Sequence, residues 1–252
     1  MGRLRVIVDG AHPGAENMTR DRALLAAQRP GDDPVLRIYR WDPPAVTIGY
    51  NQDAADFDAT AARAAGFDVV RRPTGGRAIL HADELTYAVV GTSPGPLFGD
   101  SLHAVYMTIN RALVAFLAGL GIAAEISAGE SREEARGLVC FKSAGRYEIA
   151  VAGRKIVGSA QRRTGGCFLQ HGSILAGPRH LELLRFLRPG APGADVPPAL
   201  LALATTDLGQ LRGRPCLPAD LDALAPALVE AFAASLALEP VAADLPGSRP
   251  PA

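Results

Sequence analysis

Lysine is almost missing from this chain. Its 252 residues hold 26 basic side chains, and only Lys142 and Lys155 among them are lysines. Where arginine is otherwise the rule, a lysine asks for a reason: arginine stays charged, whereas a partly buried lysine can release its proton. Cysteine is scarce too. Cys140, Cys167 and Cys216 are odd in number and irregularly spaced, which argues against a disulfide framework and for a reducing compartment. The three cysteines and five histidines form no Cys-x-x-Cys or His-x-x-x-His pair, so no metal site is expected. Neither sign of charge is in excess, with 26 acidic side chains against 26 basic, so nothing draws the chain to nucleic acid or to an anionic membrane. No run reaches the roughly twenty apolar residues of a membrane span; the best, Ala112 to Ala124, is too short. The start, MGRLRVIVDG, lacks the apolar stretch of a signal peptide. A cytoplasmic protein is the expectation. No Gly-x-Gly-x-x-Gly after a strand and no Gly-Lys-Ser/Thr loop is present, so the common nucleotide folds are not supported.

What is present reads as alternating short strands and helices. Strands are expected over Leu4–Val8, up to the Asp9-Gly10 turn signal, and over Val35–Trp41, Ala45–Tyr50, Phe67–Arg72, Arg77–His81 and Leu85–Val90. Helices are expected over Ala15–Gln28, after the Asp58 cap, and after Ser101, where Val105, Ile109, Leu113, Phe116 and Leu117 make one apolar stripe. A strand over Ala123–Ile126 and an exposed loop over Ser127–Arg136 follow. Tyr147–Val151, Lys155–Arg163 and Cys167–Leu175 read as a three-stranded meander turning at Ala152-Gly153 and Gly165-Gly166. A short helix over His180–Leu187, a linker over Arg188–Pro198 and a helix over Asp220–Leu238 complete the pattern. The mixed order argues for an α+β fold with a mixed β-sheet flanked by helices. We expect one domain over residues 1–240, with its core motifs between 31 and 187, and a frayed Pro-rich tail over 241–252.

Two stretches are dense in reactive groups. In 137–175, Cys140 sits in an apolar run and Lys155 lies fifteen residues on. A lone cysteine in such a run is more often inert core. Yet the thiolate is the attacking form, and a nearby ammonium favours it. Cys167 reads as core, and Cys216 stands apart between prolines. The second stretch is Arg71–Tyr87. Gly75 and Gly76 would let the backbone approach a ligand and expose its N–H groups, and the arginines around them suit a carboxylate or phosphate. A tight turn with solvated arginines is an equal reading of the same residues.

Taken together these residues resemble a known superfamily. Arg71-Arg72-Pro73-Thr74-Gly75-Gly76-Arg77, His81 and Glu84-Leu85-Thr86-Tyr87 resemble the first block of the biotin/lipoate protein ligases and lipoyl transferases. Gly153 through Gln161, then Gln170-His171-Gly172-Ser173, resemble the second. The resemblance implies the catalytic-domain fold of that superfamily. Cys140-Phe141 ahead of Tyr147-Glu148 most resembles the octanoyltransferases of Gram-positive type. That implies Cys140 as nucleophile and Lys155 as its activator. It also implies substrate contacts from Arg72, Thr74, Gly75, Gly76, Arg77, His81, Gly158, Ser159, Ala160, His171, Gly172 and Ser173. Implied partners are acyl carrier protein as donor and a lipoyl-domain protein, such as glycine cleavage H protein, as acceptor. Neither cofactor nor metal is implied, and a monomer is expected. The basic residues Arg71, Arg72, Arg154 and Arg162 would face the acidic donor. The loop Lys142–Arg146 departs from the family, which usually has an acidic residue and Pro-Ser there. Three other readings stand beside this one: an ATP- and Mg-dependent lipoate–protein ligase, a transferase between carrier domains, and a non-catalytic carrier-binding homologue.

Overall fold

The computed structural model describes residues 2–127 and 147–246. Cys140 and the loop Lys142–Arg146 lie outside the described residues, as does most of the Ser127–Arg136 stretch. The eleven strands are β1 (Arg3–His12), β2 (Val35–Trp41), β3 (Ala45–Ile48), β4 (Asp68–Arg71), β5 (Ile79–His81), β6 (Glu84–Thr92), β7 (Glu125–Ile126), β8 (Ile149–Val151), β9 (Arg154–Thr164), β10 (Cys167–Leu175) and β11 (Glu239–Ala242). The helices are α1 (Gly14–Ala27), α2 (Ala59–Ala64), α3 (Leu102–Gly119), α4 (Pro198–Ala204), α5 (Leu208–Arg212) and α6 (Pro218–Leu236). Eight strands form one sheet in the order β11-β1-β2-β6-β10-β9-β8-β7, and β4-β3-β5 form a second, small one. The pairs β11–β1 and β1–β2 are parallel and the remaining pairs of the large sheet antiparallel, so the sheet is mixed as expected.

Strand alternation puts two different cores on the two faces of β10. Phe168 and Ile174 pack with the α3 stripe and with Leu228 and Phe232 of α6. Cys167 and Leu169 pack with Met18, Leu24 and Leu25 of α1. All nine residues of β10 are buried. The meander forms as expected. Its turns use left-handed backbone at Ala152-Gly153 (φ 49° and 74°) and Gly165-Gly166 (φ 56° and 76°), the geometry of a two-residue hairpin loop. The caps also form: Asp58 accepts from Ala61 N–H at 2.9 Å and Ser101 from Ala104 N–H at 3.1 Å.

Two expectations need correction, and two features of the fold were not expected. Asp9-Gly10 does not end β1. The register shifts between Val8 and Ala11, and the strand runs on through this bulge to His12. The chain after Glu239 does not fray at once, because β11 adds to the sheet beside β1 from Arg3 to Val6. Beyond Pro198 the chain also forms α4 and α5, which their short apolar pattern did not announce. Finally, α3 has the length and mean hydropathy (1.3 over 18 residues) of a membrane span. Its apolar stripe is instead the core beneath the sheet.

Candidate active site

A narrow cavity lies between the α1 face of the large sheet and the small sheet. Met18, Trp41, Ile79, Gly158, Ala160 and His171 are among its walls. It measures about 20 Å³, room for a single water molecule, so a longer guest enters only if the walls part.

Its floor rests on a buried polar chain. His171 of β10 donates its Nδ1–H to Asp21 Oδ2 at 2.8 Å. Arg37 holds the other carboxylate oxygen at 2.7 Å, and Tyr39 adds its hydroxyl at 2.9 Å. Burial works to raise the Asp21 carboxyl, but the His171 hydrogen bond and the Arg37 charge outweigh it and leave the carboxyl below its ordinary value. Burial pushes His171 down, towards the neutral ring. A neutral ring donating from Nδ1 has an acceptor at Nε2, and Thr74 Oγ lies 2.7 Å away. Thr74 therefore donates, and the Thr74–Arg77 loop is tied to the centre of the sheet.

A second chain supports His81. Its ring stacks on Trp41 with centroids 4.1 Å apart. Nδ1 meets Glu84 Oε1 at 2.8 Å and Nε2 meets Thr47 Oγ at 2.8 Å. Thr86 and Ser173 also donate to Glu84 Oε1, at 2.6 and 2.8 Å. Burial would raise Glu84, yet His81 and these hydroxyls bring it below its ordinary value. Its Oε2 is buried with no partner among the described residues.

The Arg72–Arg77 loop is held from inside. Arg72 is buried and donates to the carbonyls of Gly75 (2.7 Å), Arg77 (2.6 Å) and Thr47 (3.2 Å). Gly76 takes φ 85°, and its carbonyl packs so close to Gly49 that a Cβ there would stand 1.9 Å from it. The N–H groups of Gly75 and Gly76 have no acceptor among the described residues, and open space lies where a Gly75 side chain would be.

Lys155 is buried against Gly158, a wall residue of this cavity. Its ammonium pairs with Glu148 Oε1. A side chain at Gly158 would meet Lys155 Cε at 2.7 Å and Nζ at 2.8 Å, so the lysine lies across the bare α-carbon of a cavity residue. The glycine in Gly158-Ser159-Ala160 thus leaves room for the lysine in its present seat.

The structure brings Arg72, His81, Gly158, Ala160, His171, Gly172 and Ser173 together around the cavity, with Thr74 bonded to its floor. It sends two others elsewhere. The Ser159 side chain points to the opposite face, where its Oγ lies 2.7 Å from the Tyr87 hydroxyl. Arg77 borders a separate pocket with Asp53, Asp56 and Leu183. Cys167 is buried on Gln28 O at 3.6 Å, and burial raises its thiol, which suits an inert core cysteine. Sequence reasoning missed Asp21, Thr47 and Glu148 as site residues. A signal for Asp21 existed: it is a carboxylate on the buried α1 stripe of Asn17, Met18 and Leu25.

Two polar chains meet at one narrow cavity, and beside it lie a glycine loop whose N–H groups have no acceptor among the described residues and a buried lysine. The family described as "Lipoyl protein ligase A/B catalytic domain" matches residues 13–233, and the chain belongs to it. "Octanoyltransferase LipM" of Symbiobacterium thermophilum is 42% identical over 220 residues, 84% of this chain and 79% of that protein. The protein of the same name from Kyrpidia tusciae is 39% identical over 94% of this chain and 89% of its own length. Among solved structures, "lipoate-protein ligase A bound with ATP" superposes with TM-score 0.75 over 97% of this chain and 90% of that chain. At 24% identity, that likeness speaks for the fold alone.

Proposed function

We propose that this chain moves an octanoyl group from acyl carrier protein, through a thioester on Cys140, to a lysine of a lipoyl domain such as glycine cleavage H protein. The observation that carries this reading is Lys155, one of two lysines in the chain, buried against Gly158 of the cavity wall. The relatives named octanoyltransferase support it.

In the first half-reaction the Cys140 thiolate attacks the donor thioester. The N–H groups of Gly75 and Gly76 are suited to the oxyanion. The carrier thiol leaves with a proton from Lys155. In the second, the acceptor amine attacks the acyl-enzyme, Lys155 takes the amine proton, and Cys140 leaves as thiolate. Thioester exchange followed by amide formation needs no ATP and no metal. The acyl chain would part Met18, Trp41 and Ile79 to fill the cavity.

In this reading the acidic donor docks at a basic groove. Arg22, Arg71 and Arg162 surround the exposed Tyr50 in one groove, and their hydrogen bonds go to carbonyl oxygens of Arg71, of Gly49, Tyr50 and Gln52, and of Pro73. Among the described residues none of the three pairs with a carboxylate. Arg72 and Arg154, expected in the same role, are spent on carbonyls inside the fold, Arg154 on that of Thr205 at 2.8 Å. A cytoplasmic monomer remains part of this reading.

The alternative is activation of free acid by ATP. Incubation with octanoyl-acyl carrier protein without ATP, followed by intact mass measurement, separates the two. An octanoyl adduct that disappears in Cys140→Ala is expected. Lipoyl-domain modification only with ATP and free acid would sink the transferase.

A further inference from the structure

Tyr147 has φ 72°, a left-handed conformation that a residue with a bulky side chain rarely adopts. Something must hold it there. Asn110, wholly buried in α3, donates its Nδ2–H to the Tyr147 carbonyl. The Tyr147 ring also rests on His103 and Tyr106 of the same helix, with centroids 4.9 and 5.5 Å apart. Asn110 Oδ1 has no partner among the described residues, so the buried amide is anchored through the Tyr147 contact. The next residue is Glu148. Its backbone is fixed by Ser127 N–H at 2.8 Å, and its carboxylate reaches Lys155.

The geometry points to Glu148 as the group that sets the charge of Lys155, and to Asn110 as the positioning residue that aims Glu148 by holding Tyr147 in its left-handed turn. The inference rests on the transferase reading given above and adds the proton state in which that reaction starts.

A lysine buried to 2% exposure would normally lose its proton readily. A carboxylate in contact reverses this and keeps it an ammonium. Lys155 then enters the reaction as an ammonium. When the carrier thiolate leaves, it takes one proton from Lys155. The neutral amine stays beside Glu148, which strengthens it as a base. The attacking acceptor amine returns one proton to Lys155 as its N–C bond forms and the Cys140 C–S bond breaks. The cycle closes with no proton drawn from solvent. Other ionisable groups face this corner. His180 bonds Thr205 Oγ at 2.9 Å, next to the point where Thr206 N–H meets the Lys155 carbonyl, and burial lowers its pKa. Asp207 and Glu84 stand beyond His180. His103 and Tyr106 line the α3 side.

With two lysines in the chain, a 15N-lysine sample gives two side-chain signals, and Lys142→Arg identifies which is Lys155. A pH titration of that signal in the full chain reads its proton affinity directly. In Glu148→Gln and in Asn110→Ala the Lys155 midpoint is expected to fall by about one pH unit, a tenfold loss of proton affinity. Glu148→Asp should restore part of it. In parallel, both limbs of the pH profile for octanoyl-enzyme formation should move to lower pH in Glu148→Gln, with KM for the donor kept within about threefold. A merely structural role would lower the amplitude and leave the midpoint and the limbs in place, and that result overturns the inference. A Lys155 midpoint that falls in a chain that forms no octanoyl adduct overturns the transferase reading and keeps Glu148 as the group that sets the lysine's charge. A chain that forms the adduct with an unmoved midpoint does the reverse.

Discussion

Asp21 on the first helix and His171 on the central strand meet at 2.8 Å across 150 residues of sequence, and that contact fixes which nitrogen of the histidine faces the Thr74 hydroxyl. Both partners are buried, and Arg37 is buried with them. Asp21→Asn leaves Arg37 with Asp9 as its remaining carboxylate. Losing one member of a buried ion pair costs about 3 kcal/mol. Urea unfolding should show a loss of this size with an unchanged slope, and a loss below about 1 kcal/mol would mean that the chain is not a strut of the fold.

Stability should fall as the medium becomes acidic. Burial keeps His171 and His180 below their ordinary value of 6.5. As pH drops through 6.5 the unfolded chain binds protons that the folded chain refuses, so unfolding is favoured. The carboxyls of Asp21 and Glu84, held below 3.8 and 4.5, keep their contribution above those values and lose it only at lower pH. The urea midpoint is therefore expected to decline between pH 7.5 and 5.5. The decline should be shallower in His180→Gln. A flat profile over that range contradicts the assignment of neutral buried histidines.

Gly158→Ala tests the packing of Lys155. The new methyl would lie 2.7 Å from Cε and 2.8 Å from Nζ, atoms at the free end of a flexible side chain. The lysine shifts and the fold survives. Misplacing a reacting group by about 1 Å costs on the order of 100-fold in rate. Octanoyl-enzyme formation should slow by that factor while circular dichroism and melting stay close to the parent. Full activity would show that Lys155 does not need its present seat.

The groove around Tyr50 predicts a split between donors. Arg22 lies on α1, outside the cavity. Charge reversal in Arg22→Glu should raise KM for octanoyl-acyl carrier protein about tenfold at low salt, and less as salt screens the groove. The rate with octanoyl-pantetheine, which carries no protein and no phosphate, should not change. Equal effects on both donors would exclude the groove as a docking face.

How much of this was legible depended on how local each feature is. The apolar stripe of α3 and the glycine turns of the meander are set by neighbours in sequence, and both formed where they were expected. Strand alternation could also have placed Ser159 on the opposite face from Gly158 and Ala160. The resemblance named it as a substrate contact all the same, and the period of two decides for Tyr87 instead. The Asp9-Gly10 pair has the composition of a turn, but pairing to β2 on both sides of it carries the strand through a bulge. Arg72 and Arg154 read as surface charge because sequence does not show which carbonyls will need a donor. The link between Asp21 and His171 is a product of tertiary packing and leaves only a carboxylate out of place on an apolar stripe. The role of Glu148 was hidden in the same way, since only folding brings it to Lys155.

Because β10 carries one core on each face and His171 of the cavity lies at its middle, an opening that frees this strand would also undo the cavity wall. Local openings can release the edges, β11 or β7, without touching the chemistry. Any opening that frees β10 exposes both cores at once. Activity and global structure should therefore disappear in a single step on heating, and the slowest-exchanging amides should be those of Phe168 to Ile174, the segment that also forms one wall of the cavity.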